Sequence, residues 1–310
     1  MTYLKDIVNE GGYFSGPLLV KSCEKGVANN GNDYLTVVFQ DVTGSVSAKK
    51  WTVEDNDLSV IIPGKIVDVT GDIFKYKGHP QMKIESVSST PSNKYDPNDF
   101  FLSCPIKDEE LFKDVSDIIE LIEDEDLKAL TKSLLNRYSD KYMTYPAAVS
   151  VHHAYRCGIV YHSVSIAKDT IKICERYPSL NRDYLLAGAL LHDLGKTKEM
   201  AGVIAPGYTF EGNLLGHISI GAMMVQEEGV KLGTPDDKLT ILVHLILSHH
   251  GQAEYGSPVL PQTPEAYVLH VLDDLDAKMN IIENALKDVE VGEFSQKVPF
   301  LDMKAYLKTK

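Results

Sequence analysis

The chain has 310 residues, 44% of them apolar and 24% charged, with a formal net charge of −13. That is the length of a two-domain protein with a sizeable core and the balance of an ordinary globular one. The charge argues against coating nucleic acid by bulk electrostatics, and no apolar stretch reaches the roughly 20 residues that span a membrane.

The opening "MTYLKDIVNE" carries acids and no apolar run, so it does not read as a secretory signal. Four cysteines (Cys23, Cys104, Cys157, Cys174) form no CxxC pair. Reduced thiols, a cytoplasmic setting and no cysteine-based zinc site follow as expectations.

Residues 1–88 carry a period of two. In "DYLTVVFQDVTGSVSAKKW", Leu35, Val37 and Phe39 take one face, "DVTGS" is turn chemistry, and Val46, Ala48 and Trp51 belong to the return strand. In "GKIVDVTGDIFKYKGHPQMKIESVSS", Gly78 and Pro80 punctuate a second pair, and Gly71 marks a bulge or bend. With "GPLLVKSCEKGVA" this predicts a five-stranded OB-type β-barrel. Val67, Val69 and Ile73 alternate inward, leaving Phe74 and Tyr76 on the other face beside Lys75 and Lys77. Such a face is either a stacking surface for a single strand or a seam packed on the other domain. Residues 1–90 carry nine lysines against eleven acids, so the barrel is the less acidic half without being basic.

Pro91, Ser92, Asn93, Pro97, Asn98 and Pro105 mark 89–105 as a linker. From 106 to 310 the period is helical, which predicts an all-α bundle. The ten acids within 107–128 read as a solvated face.

Apolar helical stretches then deliver polar groups one after another. Leu185 to Leu191 runs straight into His192 and Asp193, and His162 shares a stripe with Ile159, Ile166 and Ile173. "LLGHISIGA" brings His217, "LTILVHLILSHHG" ends in His249 and His250, and "AYVLHVLDDLDAKM" carries Asp273, Asp274 and Asp276. A buried imidazole or carboxylate costs several kcal/mol unless compensated. One shared metal centre compensates all of them more simply than separate hydrogen bonds do. Lys196 lies one turn beyond His192, as a phosphate contact or a plain surface charge.

The order His162…His192-Asp193…His217…His249-His250…Asp273 resembles the HD-domain phosphohydrolase superfamily. The resemblance implies a first site of His162, His192, Asp193 and Asp273. Asp193 would bridge to a second site with His217, His249 and His250, although His250 could instead face substrate. Asp193 and Lys196 would be catalytic, with a metal-activated water attacking phosphorus. "HHGQAEYGSPVLPQTPEA" lacks the Gly-Tyr-Pro element of the cyclic-dinucleotide phosphodiesterases in that superfamily.

"AAVSVHHAYRCGIVYHSVSIA", "LLHDLGKTKEM", "FEGNLLGHISIGA" and "LHVLDDLDAKM", with "DVTGSVSAKKW" and "FKYKGHPQMKI" in front, resemble the YhaM family of bacterial 3'→5' exoribonucleases along essentially the whole chain. That resemblance implies hydrolysis of single-stranded RNA, and sometimes DNA, to nucleoside 5'-monophosphates. It implies Mn²⁺, with two ions; Fe²⁺ and Zn²⁺ suit the same ligands. His153 would contact an RNA phosphate or 3' end, or make a core hydrogen bond; His152 stands beside it and His244 is read as core. Homo-oligomers through the acidic helices or the C-terminal "VPFLDMKAYLKTK" remain open, and no membrane partner is expected. The rival readings are a phosphohydrolase of small nucleotides and a nucleic-acid-binding factor without catalysis.

Overall fold

The computed structural model describes residues 3–8, 10–28, 31–54, 56–76, 79–91, 94–101, 104–148, 153, 155–203, 207–287 and 289–310. Lys77, Gly78, Ser92, Asn93 and His152, named above, lie outside the described residues. The chain divides into two compact units, Met1–Ser103 with Gly202–Ala205 and Cys104–Ala201 with Pro206–Lys310.

The first unit is a closed barrel of β1 (Gly12–Val27), β2 (Asp33–Asp41), β3 (Gly44–Lys50), β4 (Ile66–Tyr76) and β5 (His79–Ser89), ordered β1-β2-β3-β5-β4. β1 serves two neighbours: Gly12–Leu19 pairs with β4 and Leu19–Val27 with β2, with a bulge between Val20 and Ser22. A short parallel pairing of β3 with β5 closes the sheet, and the β4–β5 register shifts at Thr70/Gly71. The alternating residues fill the interior: Leu35, Val37, Phe39, Val46, Val67, Val69 and Ile73 are all buried. Each such side chain is worth about 1.5–3 kcal/mol of burial. At the β2–β3 turn the buried Asp41 carboxylate accepts from the amides of Leu4, Thr43 and Gly44. It thereby pins the helix α1 (Leu4–Val8) to the turn.

Two details differ from the sequence expectation. Trp51 falls just past the end of β3 and is 52% exposed instead of continuing the strand. The segment expected to be a tether is partly barrel wall. β5 runs to Ser89, and Phe100 and Phe101 pack against Leu19 while Gln40 donates to the Phe100 carbonyl at 3.0 Å. Two adjacent aromatic side chains found an apolar seat there, and burial outweighs the turn-forming residues around them.

The second unit is helical. Its elements, after α2 (Asp57–Val60) in the first unit, are α3 (Asp108–Glu120), α4 (Glu125–Arg137), α5 (Ser139–Thr144), α6 (Gly158–Arg176), α7 (Arg182–Leu191), α8 (Lys196–Glu199), α9 (Phe210–Leu232), α10 (Asp236–Ser248) and α11 (Pro264–Leu286). α7 is the axis of this unit. The Asn181 side chain caps it by accepting from the amides of Asp183 and Tyr184, and Leu185 to Leu191 are buried among α4, α6, α10 and α11. α3 turns Leu111, Val115, Ile118 and Ile119 inward and leaves Asp108, Glu109 and Glu110 exposed. Among the described residues, no helix is long and apolar enough to cross a membrane.

Candidate metal centre

α7 stops at Leu191, and the chain makes one tight turn through His192, Asp193 and Leu194 before α8. Gly195 is required there. A Cβ on it would lie 2.0 Å from the carbonyl oxygen of His217 and 2.7 Å from the amide of Gly221. Only glycine lets the α9 backbone cross this turn so closely. α9 itself kinks at Gly216, whose φ of 69° is left-handed, and His217 follows directly. α6 contributes His162, the end of α10 contributes His249 and His250, and α11 contributes Asp273.

Five imidazoles use the same device. Nδ1 of His192 faces the carbonyl of Ala189 at 2.9 Å, Nδ1 of His249 that of Ile246 at 2.7 Å, and Nδ1 of His250 that of Tyr255 at 2.8 Å. A carbonyl only accepts, so each Nδ1 carries the hydrogen and each Nε2 presents its lone pair. The carboxylates of Glu199 and Asp276 hold Nδ1 of His217 (3.2 Å) and His162 (2.6 Å) in the same way, and Nε2 of His162 meets a second carboxylate, that of Asp273, at 3.0 Å. These are the outer partners that fix metal-binding histidines.

The Nε2 atoms meet around Asp193. Its Oδ2 lies 3.5 Å from Nε2 of His192 and 3.9 Å from that of His162. Its Oδ1 lies 3.6 Å from Nε2 of His217 and 3.8 Å from that of His249. Asp273 Oδ1 stands 3.0 Å from Nε2 of His162 and 3.9 Å from that of His192. Nε2 of His192, His217 and His249 and Oδ1 of Asp193 are buried and have no hydrogen-bond partner. Four orphaned lone-pair atoms facing one another are a costly arrangement in an empty protein interior and a natural one around cations. The trios His162–His192–Asp193 and His217–His249–His250 each bring their ligand atoms within 4.8 Å of one another. The donor set of imidazole and carboxylate, without thiolate, suits divalent ions such as Mn²⁺, Fe²⁺ and Zn²⁺.

The electrostatics keep the carboxylates charged. Burial alone would raise Asp193, but Lys196, whose Nζ is 2.7 Å from Oδ2, and His192 hold it well below the ordinary carboxylate range. Burial opposes the ionised form of Asp273 as well, and the hydrogen bond to His162 outweighs it. His162 is pushed up to about 9, because Asp273 and Asp276 together outweigh its burial. Burial, with His250 and His192 alongside, keeps His249 neutral, and burial lowers His250.

Of the two readings of His153, an RNA contact or a core hydrogen bond, its surroundings fit the second. It is 2% exposed, its Nε2 lies 2.6 Å from Asp276 Oδ2, and its Nδ1 meets the Tyr155 hydroxyl. A helix running on through His153 would set it two to three turns before His162. Instead α6 begins at Gly158, and left-handed backbone at His153 (φ 45°) and Cys157 (φ 65°) turns the chain back. The two rings lie 5.3 Å apart, with Asp276 shared between His153 and His162. His244 accepts from the amide of Gln262 at 3.0 Å. Glu199 and the Tyr255 carbonyl were missed as partners of the histidines. Asp276 carried a signal, its spacing of three from Asp273 on a helix.

In the barrel, Phe74 and Tyr76 are exposed on the outer face of β4, and Lys75, which alternates with them past the last buried residue Ile73, is exposed as well. Lys77 lies outside the described residues. A second aromatic group was not anticipated: the half-buried Tyr34 and exposed Trp51 rings lie 5.3 Å apart, and Lys49 Nζ sits 4.3 Å from the Tyr34 centroid and 5.6 Å from that of Trp51.

The HD domain family matches residues 159–278, a span that contains every candidate ligand above. Over 292 residues the chain is 41% identical to the 3'-5' exoribonuclease YhaM of Geobacillus sp. (strain WCH70), covering 94% of this chain and 90% of that one. It is 39% identical to the YhaM of Bacillus subtilis (strain 168), covering 94% and 93%. It is also 39% identical to that of Oceanobacillus iheyensis, covering 95% and 93%. With about two residues in five shared across barrel and helices alike, and an HD domain built around the histidine cluster, the chain belongs to the 3'-5' exoribonuclease YhaM family.

Proposed function

We propose that this protein is a metal-dependent 3'→5' exoribonuclease that hydrolyses single-stranded RNA to nucleoside 5'-monophosphates, with single-stranded DNA as a second substrate. The observation that carries the metal dependence is the convergence of three bare Nε2 atoms and one carboxylate oxygen in a buried space. His162, His192, Asp193 and Asp273 hold one ion; Asp193, His217, His249 and His250 hold a second. We assign Mn²⁺, which accepts this nitrogen and oxygen set. Divalent ions, when bound, neutralise phosphate charge and lower the pKa of a bound water.

The chain's own residues supply the rest. The Nδ1 contacts orient the imidazoles before substrate arrives, so no reorganisation is needed at the moment of reaction. Lys196 holds Oδ2 of Asp193, and its remaining N–H groups serve the non-bridging phosphate oxygens. The aromatics and lysines at the barrel surface, exposed Phe74, Lys75 and Tyr76 or exposed Trp51 with half-buried Tyr34 and Lys49, offer stacking faces that hold a strand without reading its sequence. Four free cysteines fit a reducing, cytoplasmic setting.

The test is an RNA oligomer labelled at its 5' end and incubated with the protein and Mn²⁺. Shortening from the 3' end with release of 5'-monophosphates is expected, and Asp193→Ala should lose turnover while retaining much of its RNA affinity. Turnover of free nucleotides alone, or hydrolysis unaffected by chelator, would overturn the proposal.

A further inference from the structure

A cleft of about 280 Å³ opens beside the metal centre, with Lys196 and Asp273 on one wall. Its other walls include Tyr255, Phe300 and Leu301. Phe300 and Leu301 come from beyond the HD match, from a C-terminal segment that folds back on itself. Bridges pair Phe294 with Leu307 and Val298 with Lys304, so 299–303 form the tip. Leu301 is buried and anchors this tip, while the neighbouring Phe300 ring is 63% exposed. Tyr255 is 64% exposed on the same cleft, and its backbone carbonyl is the partner of His250 Nδ1. Two open aromatic rings thus stand in one cleft with a ligand carboxylate and an ammonium group.

We propose that this cleft is the subsite for the 3'-terminal nucleoside, its base stacking on Phe300 and Tyr255 while its phosphodiester reaches Asp273 and Lys196. The occupant follows from the juxtaposition. The Lys196 ammonium and the cation that Asp273 would hold suit the phosphate, and flat apolar faces beside them suit a planar base. Stacking accepts every base, because each has a π-face. The subsite therefore recognises that a base is present and not which one, as a processive degrader of mixed sequence requires. This rests on the nuclease reading, which supplies the strand end.

The experiment measures equilibrium binding of each of the four nucleoside 5'-monophosphates, and of ribose 5-phosphate, to the full chain loaded with Mn²⁺. We expect all four to bind about 10- to 100-fold more tightly than ribose 5-phosphate. Phe300→Ala and Tyr255→Ala should each shrink that gap, Phe300→Trp should restore it, and bound metal should stay constant. Tyr255→Ala leaves the backbone carbonyl that holds His250. Equal binding of nucleotide and ribose phosphate, or a gap untouched by both variants, overturns the subsite. A base-dependent gap in a protein that hydrolyses no RNA would sink the exonuclease reading and leave the nucleoside subsite standing.

Discussion

Oδ1 of Asp193 lies 3.6 Å from Nε2 of His217, and neither atom has a hydrogen-bond partner. The gap is too long for a direct bond and too dry to leave open, which is the distance relation of two ligands on one ion. The other oxygen of the same carboxylate faces His192 and Lys196. One side chain therefore faces two groups of candidate ligands at once.

Metal content should follow that division. Elemental analysis of the purified protein is expected to find two divalent ions per chain, and His217→Ala should retain one. Asp193→Ala should lose most of both, together with turnover. Retention of two ions by His217→Ala would show that His217 is no ligand.

Asp276 touches none of the Nε2 atoms gathered around Asp193, yet it holds Nδ1 of His162 at 2.6 Å and Nε2 of His153 at 2.6 Å. Outer partners of this kind are worth about 10- to 100-fold in metal affinity. Asp276→Asn should weaken one ion by that factor in a chelator competition and leave the other in place. His153→Ala should produce a smaller loss at the same ion, since it acts through Asp276.

Gly195→Ala places a methyl group 2.0 Å from the His217 carbonyl. Backbone must move, so a loss of about 1–3 kcal/mol in unfolding free energy is expected. The displaced element carries His217, so occupancy of the second ion should fall before that of the first. Denaturant melts and metal analysis of the same sample check both points.

Trp51 is the only tryptophan of the chain and lies exposed beside Tyr34 and Lys49. If this face stacks bases, single-stranded RNA should quench the intrinsic fluorescence, and Trp51→Ala should cost about 1–3 kcal/mol of RNA affinity. Unchanged emission on saturation with RNA would shift the binding face to Phe74 and Tyr76.

Glu228 on α9 is buried and accepts from Ser133 on α4 at 2.7 Å, from Arg137 at 3.0 Å and from Lys231 at 2.9 Å. Lys231 first, then Ser133, hold its carboxyl below the ordinary value. A depressed carboxyl contributes stability above its unfolded value, about 4.3, and loses it as pH falls through the folded value. Glu228→Gln should be less stable at neutral pH by about 1–3 kcal/mol, and the deficit should narrow in acid below pH ~4. A pH-independent deficit would point to packing alone.

Hydrophobic period was enough to separate barrel from helices, because Leu35, Val37 and Phe39 alternate while Ile159, His162 and Ile166 recur by turns. The candidate ligand residues could be named for a related reason: imidazole and carboxylate at the ends of apolar helices announce an uncompensated cost of burial. Their family likeness added names for the groups. The partners of the histidines were not legible. Glu199, Asp276 and the carbonyls of Ala189, Ile246 and Tyr255 do their work through direction, and direction is set by where other elements pass.

The sequence by itself thus determined the element types, the apolar faces and which imidazoles and carboxylates are candidates for the centre, since these depend on residues close in the chain and on cost of burial. Tertiary structure alone decided which nitrogen of His192, His217 and His249 is bare, how Asp193 divides its two oxygens, why Gly195 is glycine, and that His153 turns inward beneath Asp276. Those outcomes depend on distances of a few ångströms between segments tens of residues apart, and no local pattern encodes such distances.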